Sequence, residues 1–145
     1  MITTADIYVA IKHRLETVFN NIQIKDIKNI TAPCFYIQYV NSGDNEVANE
    51  TTQCRVSYNV VYFAENRELA ELLAKEEILK TNFKKPLKIG NRFILPTIDF
   101  DIDEGDEYTL TMGISFDFYQ DNEISNPYDK ELNNELMNNL NVNIQ

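Results

Sequence analysis

The stretch "PTIDFDIDEGDEYTLTMGISFDFYQ", from Pro96 to Gln120, contains two long runs of alternating residues around an acidic turn. Such alternation is typical of strands that bury one face and leave the other in water. The sequence therefore predicts an antiparallel pair with one side of the sheet in water. Its inward side chains would be Ile98, Phe100 and Ile102 in the first strand, and Tyr108, Leu110, Met112, Ile114, Phe116 and Phe118 in the second.

Upstream of this pair, two further aromatic runs predict strands. "CFYIQYV" (Cys34 to Val40) follows a proline and carries Phe35, Ile37 and Tyr39 on one face. "QCRVSYNVVYF" places Cys54, Val56, Tyr58, Val60 and Tyr62 on one face. Between them lies "NSGDNEVANETT", Asn41 to Thr52, which is polar, unperiodic and too long for a tight hairpin. We expect a long loop there, with Asp44, Asn45, Glu46 and Asn49 as candidate oligomer contacts.

Two segments have helical spacing. The first begins after a capping box of Thr3 and Asp6. Its apolar face is Ile7, Ala10, Ile11, Leu15, Val18 and Phe19. The second is predicted over about 66–82, with Asn66 as the N-cap and Lys80 in the last turn. Its inward stripe is predicted to be Leu69, Leu72, Leu73, Glu76 and Leu79.

"LKIGNRFIL" predicts a short hairpin that turns at Gly90 and Asn91. The resulting order is helix, two strands, helix, hairpin and two long strands. We predict a single α+β domain over 1–120, a mainly antiparallel sheet packed by two helices. After Gln120 the chain becomes rich in asparagine, and 121–145 is predicted to be a C-terminal arm or short helix. Leu132, Leu136 and Leu140, four residues apart, would order it only against a partner surface.

The composition is that of a globular protein with a strong negative charge. Of the 145 residues, 43% are hydrophobic, and 23 acidic residues outweigh 13 basic ones to give a net charge of −10. Because affinity for phosphate comes from clustered Lys and Arg, this balance argues against sequence-specific nucleic-acid binding and favours protein partners. No apolar run or basic leader predicts a membrane span or export signal, so we expect an intracellular protein.

The acidic stretch Asp99 to Glu107 holds six carboxylates in nine residues. An EF-hand is disfavoured because Glu104 stands where the loop needs Gly and Leu110 where it needs Glu. Two interpretations stay open: the solvated face of a strand and its turn, or an acidic assembly surface. The residues are Asp99, Asp101, Asp103, Glu104, Asp106 and Glu107.

Catalytic and cofactor motifs are missing from the sequence. The single histidine, His13, lies between Lys12 and Arg14 on the charged face of the first helix, with no nucleophile in pattern. Cys34 and Cys54 lie in strand-like runs and are expected to be free, reduced and buried. No phosphate-binding glycine loop or zinc cluster is present. We predict no catalytic, cofactor-binding or metal-binding residues.

Four segments together resemble one family. They are "ADIYVAIKHRLETVF", "PCFYIQYV", "VSYNVVYFAENRELAELLAKEEILK" and "ILPTIDFDIDEGDEYTLTMGISFDFY". These segments span about 2–120. In their order and their local sequence they resemble tail terminator (tail completion) proteins of phages, prophages and phage-tail-like bacteriocins from Gram-positive bacteria.

The resemblance implies a structural protein that forms a ring, commonly hexameric, on the last ring of the tail tube. Such a ring stops tube polymerisation and presents a docking surface for a head connector, sheath or cap protein. It would assemble in the cytoplasm of the bacterial host and then remain in the particle, with DNA passage through the lumen possible. The resemblance supplies no catalytic residues.

Two other functions compete with this interpretation. One is a cytosolic adaptor domain that binds a protein partner as a monomer or dimer. The other is a hydrolase with a divalent metal held by Asp99, Asp101 and Glu104. Saturable Mg²⁺ or Ca²⁺ binding would favour the hydrolase.

Overall fold

The computed structural model describes residues 1–25, 30–105 and 107–121. Within these ranges the chain forms two helices and seven strands. The helices are α1 (Thr4–Val18) and α2 (Leu69–Phe83). The strands are β1 (Gln23–Ile24), β2 (Cys34–Ala48), β3 (Thr51–Phe63), β4 (Leu87–Ile89), β5 (Arg92–Ile94), β6 (Thr97–Asp103) and β7 (Thr109–Asp121).

A five-stranded sheet in the order β1-β2-β3-β7-β6 forms one layer of the fold. Its centre is the antiparallel pairing of β3 with β7, which runs without a register shift from Thr51 opposite Asp121 to Phe63 opposite Thr109. The short β1 was not predicted; it runs parallel to the start of β2, while the other neighbours in this sheet are antiparallel. The predicted α+β class with a mainly antiparallel sheet is confirmed.

One face of this sheet forms the core, as the alternation predicts. The even-numbered residues of β3 from Cys54 to Tyr62, and those of β7 from Leu110 to Phe118, are buried. They join one hydrophobic cluster with Ile7, Ile11 and Leu15 of α1, and with Leu72, Leu79 and Phe83 of α2. Both helices therefore cover the same face, and we call the opposite side the outer face.

The capping box of α1 forms as predicted. The Thr3 hydroxyl accepts from the Asp6 amide at 3.1 Å, and the Asp6 carboxylate accepts from the Thr3 amide at 2.9 Å. The side chain of Gln120 fixes this end of the helix to β7, because its Oε1 accepts from the Ile2 amide at 3.0 Å. Local sequence sets where the helix starts, and a long-range bond holds it on the sheet.

The predicted start of the second helix was wrong. Its N-cap is Glu68 rather than Asn66, and no side chain caps it. The inward stripe also differs, because Leu69 and Leu73 are about two-fifths exposed whereas Leu72 and the unpredicted Phe83 are buried. Glu76 is half-buried, as its place in the stripe suggested.

A single carboxylate explains the late start of α2. Glu71 accepts from the amides of Glu65 at 2.7 Å and Asn66 at 2.8 Å, and from the Tyr62 hydroxyl at 2.6 Å. These bonds hold 65–66 outside the helix, and Arg67 follows with a left-handed φ of 50°. The tertiary contact therefore outweighs the local capping preference of Asn66.

The long loop predicted over Asn41 to Thr52 was also wrong. The chain continues as β2 to Ala48, turns at Asn49 and Glu50, and returns as β3. Bulges at Val40 and Val47 shift the register twice. This part of β2 is exposed on both faces, so its residues need no apolar alternation, and the pattern that marks a half-buried strand is missing.

The β4–β5 hairpin forms as predicted, with Gly90 in the left-handed region at φ 61°. Its inner side chains, Leu87, Ile89 and Ile94, are buried. Arg92 ties it to β7, since its Nη1 donates to the Tyr119 carbonyl at 2.7 Å.

The Glu71 contact gives a testable prediction. Glu71→Gln should lower the free energy of unfolding at neutral pH by about 1–3 kcal/mol, because the amide retains one acceptor for three donors. Chemical denaturation measures this loss. Glu77→Gln on the same helix is the matched control; its 3.5 Å contact with Lys80 is exposed, so a change below about 0.5 kcal/mol is expected.

The same contact predicts a pH dependence. Burial alone would raise the pKa of Glu71, but the bonds from Tyr62, Asn66 and Glu65 outweigh it and the pKa lies below its ordinary value of 4.5. The stabilisation is therefore present above pH 4.5 and is lost as the pH falls through the lowered pKa. The gap between native protein and Glu71→Gln should close in acid; a gap that stays constant would contradict this role.

Candidate functional site

The acidic stretch lies on an edge strand of the sheet. Asp99, Asp101 and Asp103 are exposed on the outer face of β6, while Ile98 and its alternates point towards the core. Glu104 and Glu107 are exposed in the turn after β6. Asp106 lies outside the described residues. The structure thus brings five of the six predicted carboxylates to one edge.

Two close contacts of the aspartates shape this edge, one across the strands and one within the turn. Asp99 stands opposite Gly113, and a Cβ added at Gly113 would lie only 2.3 Å from the Asp99 Oδ1. Asp103 Oδ1 accepts from the Gly105 amide at 2.7 Å. The Asp99 carboxylate therefore occupies the space that a side chain at position 113 would need.

The outer face is acidic beyond β6. Asp117 and Asp121 of β7 share this face with the aspartates of β6, and the one basic residue on the described strands here is Arg55 of β3. Arg55 contacts Asp117 at 3.6 Å, and Gln53 also donates to Asp117 at 2.9 Å. Since exposed carboxylates in a row repel each other, the face favours a cationic or well-solvated neighbour.

Basic side chains concentrate elsewhere, at the connection between α2 and β4. Lys84 and Lys85 are exposed there, and Lys88 is exposed in β4 just after it. The Arg14 guanidinium donates to the carbonyls of Asn82 and Pro86 and so fixes this connection against α1. The molecule consequently carries charges of opposite sign on two separate surfaces.

The other reactive side chains have ordinary environments. In the described part of the chain, no group of three or more His, Cys, Asp or Glu side chains could hold a metal ion. Cys34 and Cys54 are free and buried, and burial raises the pKa of both thiols. At neutral pH both are therefore protonated and poor nucleophiles. None of the described helices is long and apolar enough to span a membrane.

The predicted contact residues lie at the end of the β2–β3 hairpin. Asp44, Asn45 and Glu46 belong to β2, and Asn49 to the turn. Asp44 faces Cys54 across the strands and lines a cleft with the N-terminal residues Met1 to Thr4. Leu132, Leu136 and Leu140 of the predicted arm lie outside the described residues.

Two surface features were missed by the sequence reasoning. One is an apolar projection on the β4–β5 hairpin, where Phe93 is 71% and Leu95 59% exposed. The other is an open cleft of about 230 Å³ near the start of β7, lined partly by Phe63 and Tyr108. In a strand as short as β5 alternation cannot say which face is buried, and the cleft joins segments that are distant in sequence.

Comparisons with known proteins cover different parts of the chain. A family model described as phage tail terminator protein matches residues 6–128. Over 78 residues, 54% of the chain, the sequence is 36% identical to general transcription and DNA repair factor IIH subunit TFB1-3 of Arabidopsis thaliana, of which it covers 13%. A solved structure whose name states no function aligns over 87% of this chain and 100% of its own, with 17% identity and a TM-score of 0.42.

The approach of Asp99 to Gly113 predicts an energetic coupling between them. Replacing a strand glycine by alanine should stabilise by roughly 0.5–1 kcal/mol, but here the new Cβ must displace the carboxylate. Gly113→Ala should therefore be more favourable in an Asp99→Ala background than in the native chain. Unfolding free energies of the two single variants and the double variant measure the coupling; strictly additive values would show that the carboxylate moves away without cost.

Proposed function

Because the chain belongs to the phage tail terminator family and so has a structural role in a phage tail, we propose that it closes the tail tube as a ring of identical subunits. The ring would bind the last ring of the tube, end its polymerisation and present the surface on which a head connector, sheath or cap protein docks. The observation that carries this proposal is the family match. The match covers all the described strands of the main sheet and both helices, apart from the first residues of α1.

The sheet geometry supports this proposal. A subunit in a ring needs contact surfaces beyond its own core, and here the outer face of the sheet is left uncovered by both helices. At one edge of the sheet, β1 pairs with β2 only at Cys34 and Phe35, so from Ile37 onwards the side of β2 that faces away from β3 has no strand beside it in the described residues. At the other edge, β6 carries the row of aspartates.

In this proposal the acidic surface faces the ring lumen or an adjoining ring. It comprises Asp99, Asp101, Asp103, Glu104, Asp106 and Glu107. A negative lumen would repel the phosphate backbone, so that DNA could pass without binding. The absence of sequence-specific nucleic-acid contacts is part of the same proposal.

Two further surfaces are proposed as contacts between subunits. The end of the β2–β3 hairpin, with Asp44, Asn45, Glu46 and Asn49, would reach a neighbouring subunit. The segment 121–145 would act as an arm separate from the domain of 1–120, with Leu132, Leu136 and Leu140 as one helical stripe against a partner. Closed cyclic symmetry with unlike contacting surfaces would relate the subunits.

The proposed role needs no chemistry at the site. Two buried, protonated thiols and an exposed His13 support the proposal that the protein acts by binding rather than by catalysis. We place the protein in the cytoplasm of the bacterial host during assembly and then in the phage or phage-tail-like particle.

Tube growth tests the function directly. In the presence of the purified protein, tail-tube subunits and length-setting components from the same particle should form tubes of fixed length. Each tube should carry a terminal ring. Electron microscopy measures tube length and the fraction of capped ends. Unchanged growth without bound rings would favour the adaptor alternative instead.

The acidic surface gives a second prediction. Replacing Asp99, Asp101 and Asp103 together by Asn should leave the free energy of unfolding unchanged or slightly higher, since repulsion along the strand is removed. Particle assembly or DNA passage should nevertheless be impaired, as measured by counting filled and capped particles.

A matched control neutralises three exposed carboxylates of the helix layer. The control replaces Glu16 of α1, Glu68 at the N-cap of α2 and Glu77 of α2 by Gln. It removes the same number of negative charges as the aspartate variant. This variant should assemble normally. If the aspartate variant also yields normal particles, the acidic surface has no part in assembly.

A further inference from the structure

We propose that neighbouring copies of the chain join by inserting the apolar projection of one β4–β5 hairpin into the cleft at the start of β7 of the next. The projection, which we call the hairpin patch, consists of Lys88, Phe93 and Leu95. The receiving surface, which we call the end cleft, consists of Ile30, Ala32, Phe63, Ala64, Glu107 and Tyr108, with Arg67 at its side. This inference rests on the proposed ring and specifies its subunit contact.

The hairpin patch has the character of an interface anchor. Phe93 and Leu95 are the most exposed large apolar pair so close in sequence within the described residues. Exposed aromatic side chains of this kind are enriched at the energetic centres of protein interfaces. Lys88 stands directly opposite Phe93 on the same outward side of the hairpin, so the patch combines an apolar anchor with a positive charge.

The hairpin is held rigidly before any partner binds. Its inner side chains Leu87, Ile89 and Ile94 are buried against the core. Arg92 donates to the Tyr119 carbonyl at 2.7 Å, and its guanidinium lies over the Phe118 ring at 5.6 Å. An anchor that is fixed in advance loses little conformational entropy on binding.

The end cleft fits such an anchor in size and surface. Its volume is about 230 Å³, and an apolar cavity of about 150 Å³ is enough to hold a benzene ring. Most of the lining is apolar, from Ile30, Ala32, Phe63, Ala64 and Tyr108.

The charges around the two surfaces are complementary. Glu107 lines the cleft and is exposed, and the exposed Glu65 directly follows the lining residue Ala64 in sequence. The Arg67 guanidinium is directed to the Tyr108 ring, 5.9 Å from its centroid. The acidic side chains outnumber this one cation, so Lys88 of the hairpin patch would meet a negative rim.

The positions of the two surfaces require the contact to be between copies. Arg92 places the hairpin patch beside Tyr119, whereas the end cleft lies at Tyr108. These tyrosines are eleven positions apart along extended chain, a distance of roughly 36 Å. A chain cannot therefore fill its own cleft, and repeating the contact head to tail generates a ring if the rotation closes.

Cross-linking tests the contact in the full-length chain. Leu95→Cys and Ala32→Cys place exposed thiols on the two surfaces, while Cys34 and Cys54 are buried and their raised pKa keeps them unreactive. Treated with a short bismaleimide on capped tubes, the variant with both new thiols should give a ladder of covalent oligomers up to the ring. A mixture of the two single variants should give dimers only.

Substitutions measure the energetic role of the anchor. Phe93→Ser should weaken ring formation on tubes by at least about tenfold in the concentration required. Val9→Ser is the matched control, because Val9 is 60% exposed on α1 but lies outside both surfaces. Lys88→Glu should weaken assembly in the same way, and adding Glu107→Lys should restore it. Circular dichroism checks that each variant folds.

The outcomes separate this contact from the ring itself. A ladder together with charge-swap rescue supports it. Rings on tubes with no ladder, or rings that tolerate Phe93→Ser, would overturn the contact and leave the terminator function standing. If the chain with both new thiols and Phe93→Ser no longer binds tubes but still forms the ladder in concentrated solution without tubes, Phe93 contacts the tube and its role between copies is overturned. If native protein forms no rings on tubes and the variant with both new thiols forms no ladder there, both proposals fall.

Discussion

The pairing of β3 with β7 is the constraint on which the rest of the structure depends. Thirteen residues of each strand pair in one register. The buried positions of β3 therefore lie opposite the buried positions of β7. A slip of one strand by one residue would turn Val60 or Met112 to solvent and bring Arg55 or Asp117 into the core. The register therefore defines the face that receives both helices and the face that stays acidic.

Sequence reasoning succeeded where one face is buried and failed where burial does not differ between faces. The alternation of β3, β6 and β7 and the capping box at Thr3 are local signals, and each was sufficient. The distal half of β2 is wet on both sides, so its polar sequence was mistaken for a loop. At α2 the bonds from Glu71 to Glu65 and Asn66 override a local cap, and no local pattern predicts a tertiary bond of this kind.

The same distinction applies to the candidate surfaces, of which some could be placed from the sequence and others could not. The aspartates of β6 could be placed on an exposed face from alternation alone, because a buried row of carboxylates would be prohibitively costly. Their function does not follow from that placement, since a solvated strand has the same pattern as a binding surface. Phe93 and the end cleft could not be predicted at all, because the exposure of Phe93 depends on how β5 packs and the cleft unites residues from 30 to 108.

The edges of the sheet bear on how copies could associate. β2 is interrupted by two bulges and carries Asp44 and Glu46, and β6 presents a row of aspartates. Both features oppose uncontrolled strand addition, so side-chain contacts are the better route to a specific joint. One aromatic anchor and one charge pair form a small interface, which would be weak between two free copies. Held side by side on the end of a tube, the same copies experience a high effective concentration. A joint of this strength would form a ring where the tube provides the template and leave the free protein unassembled elsewhere.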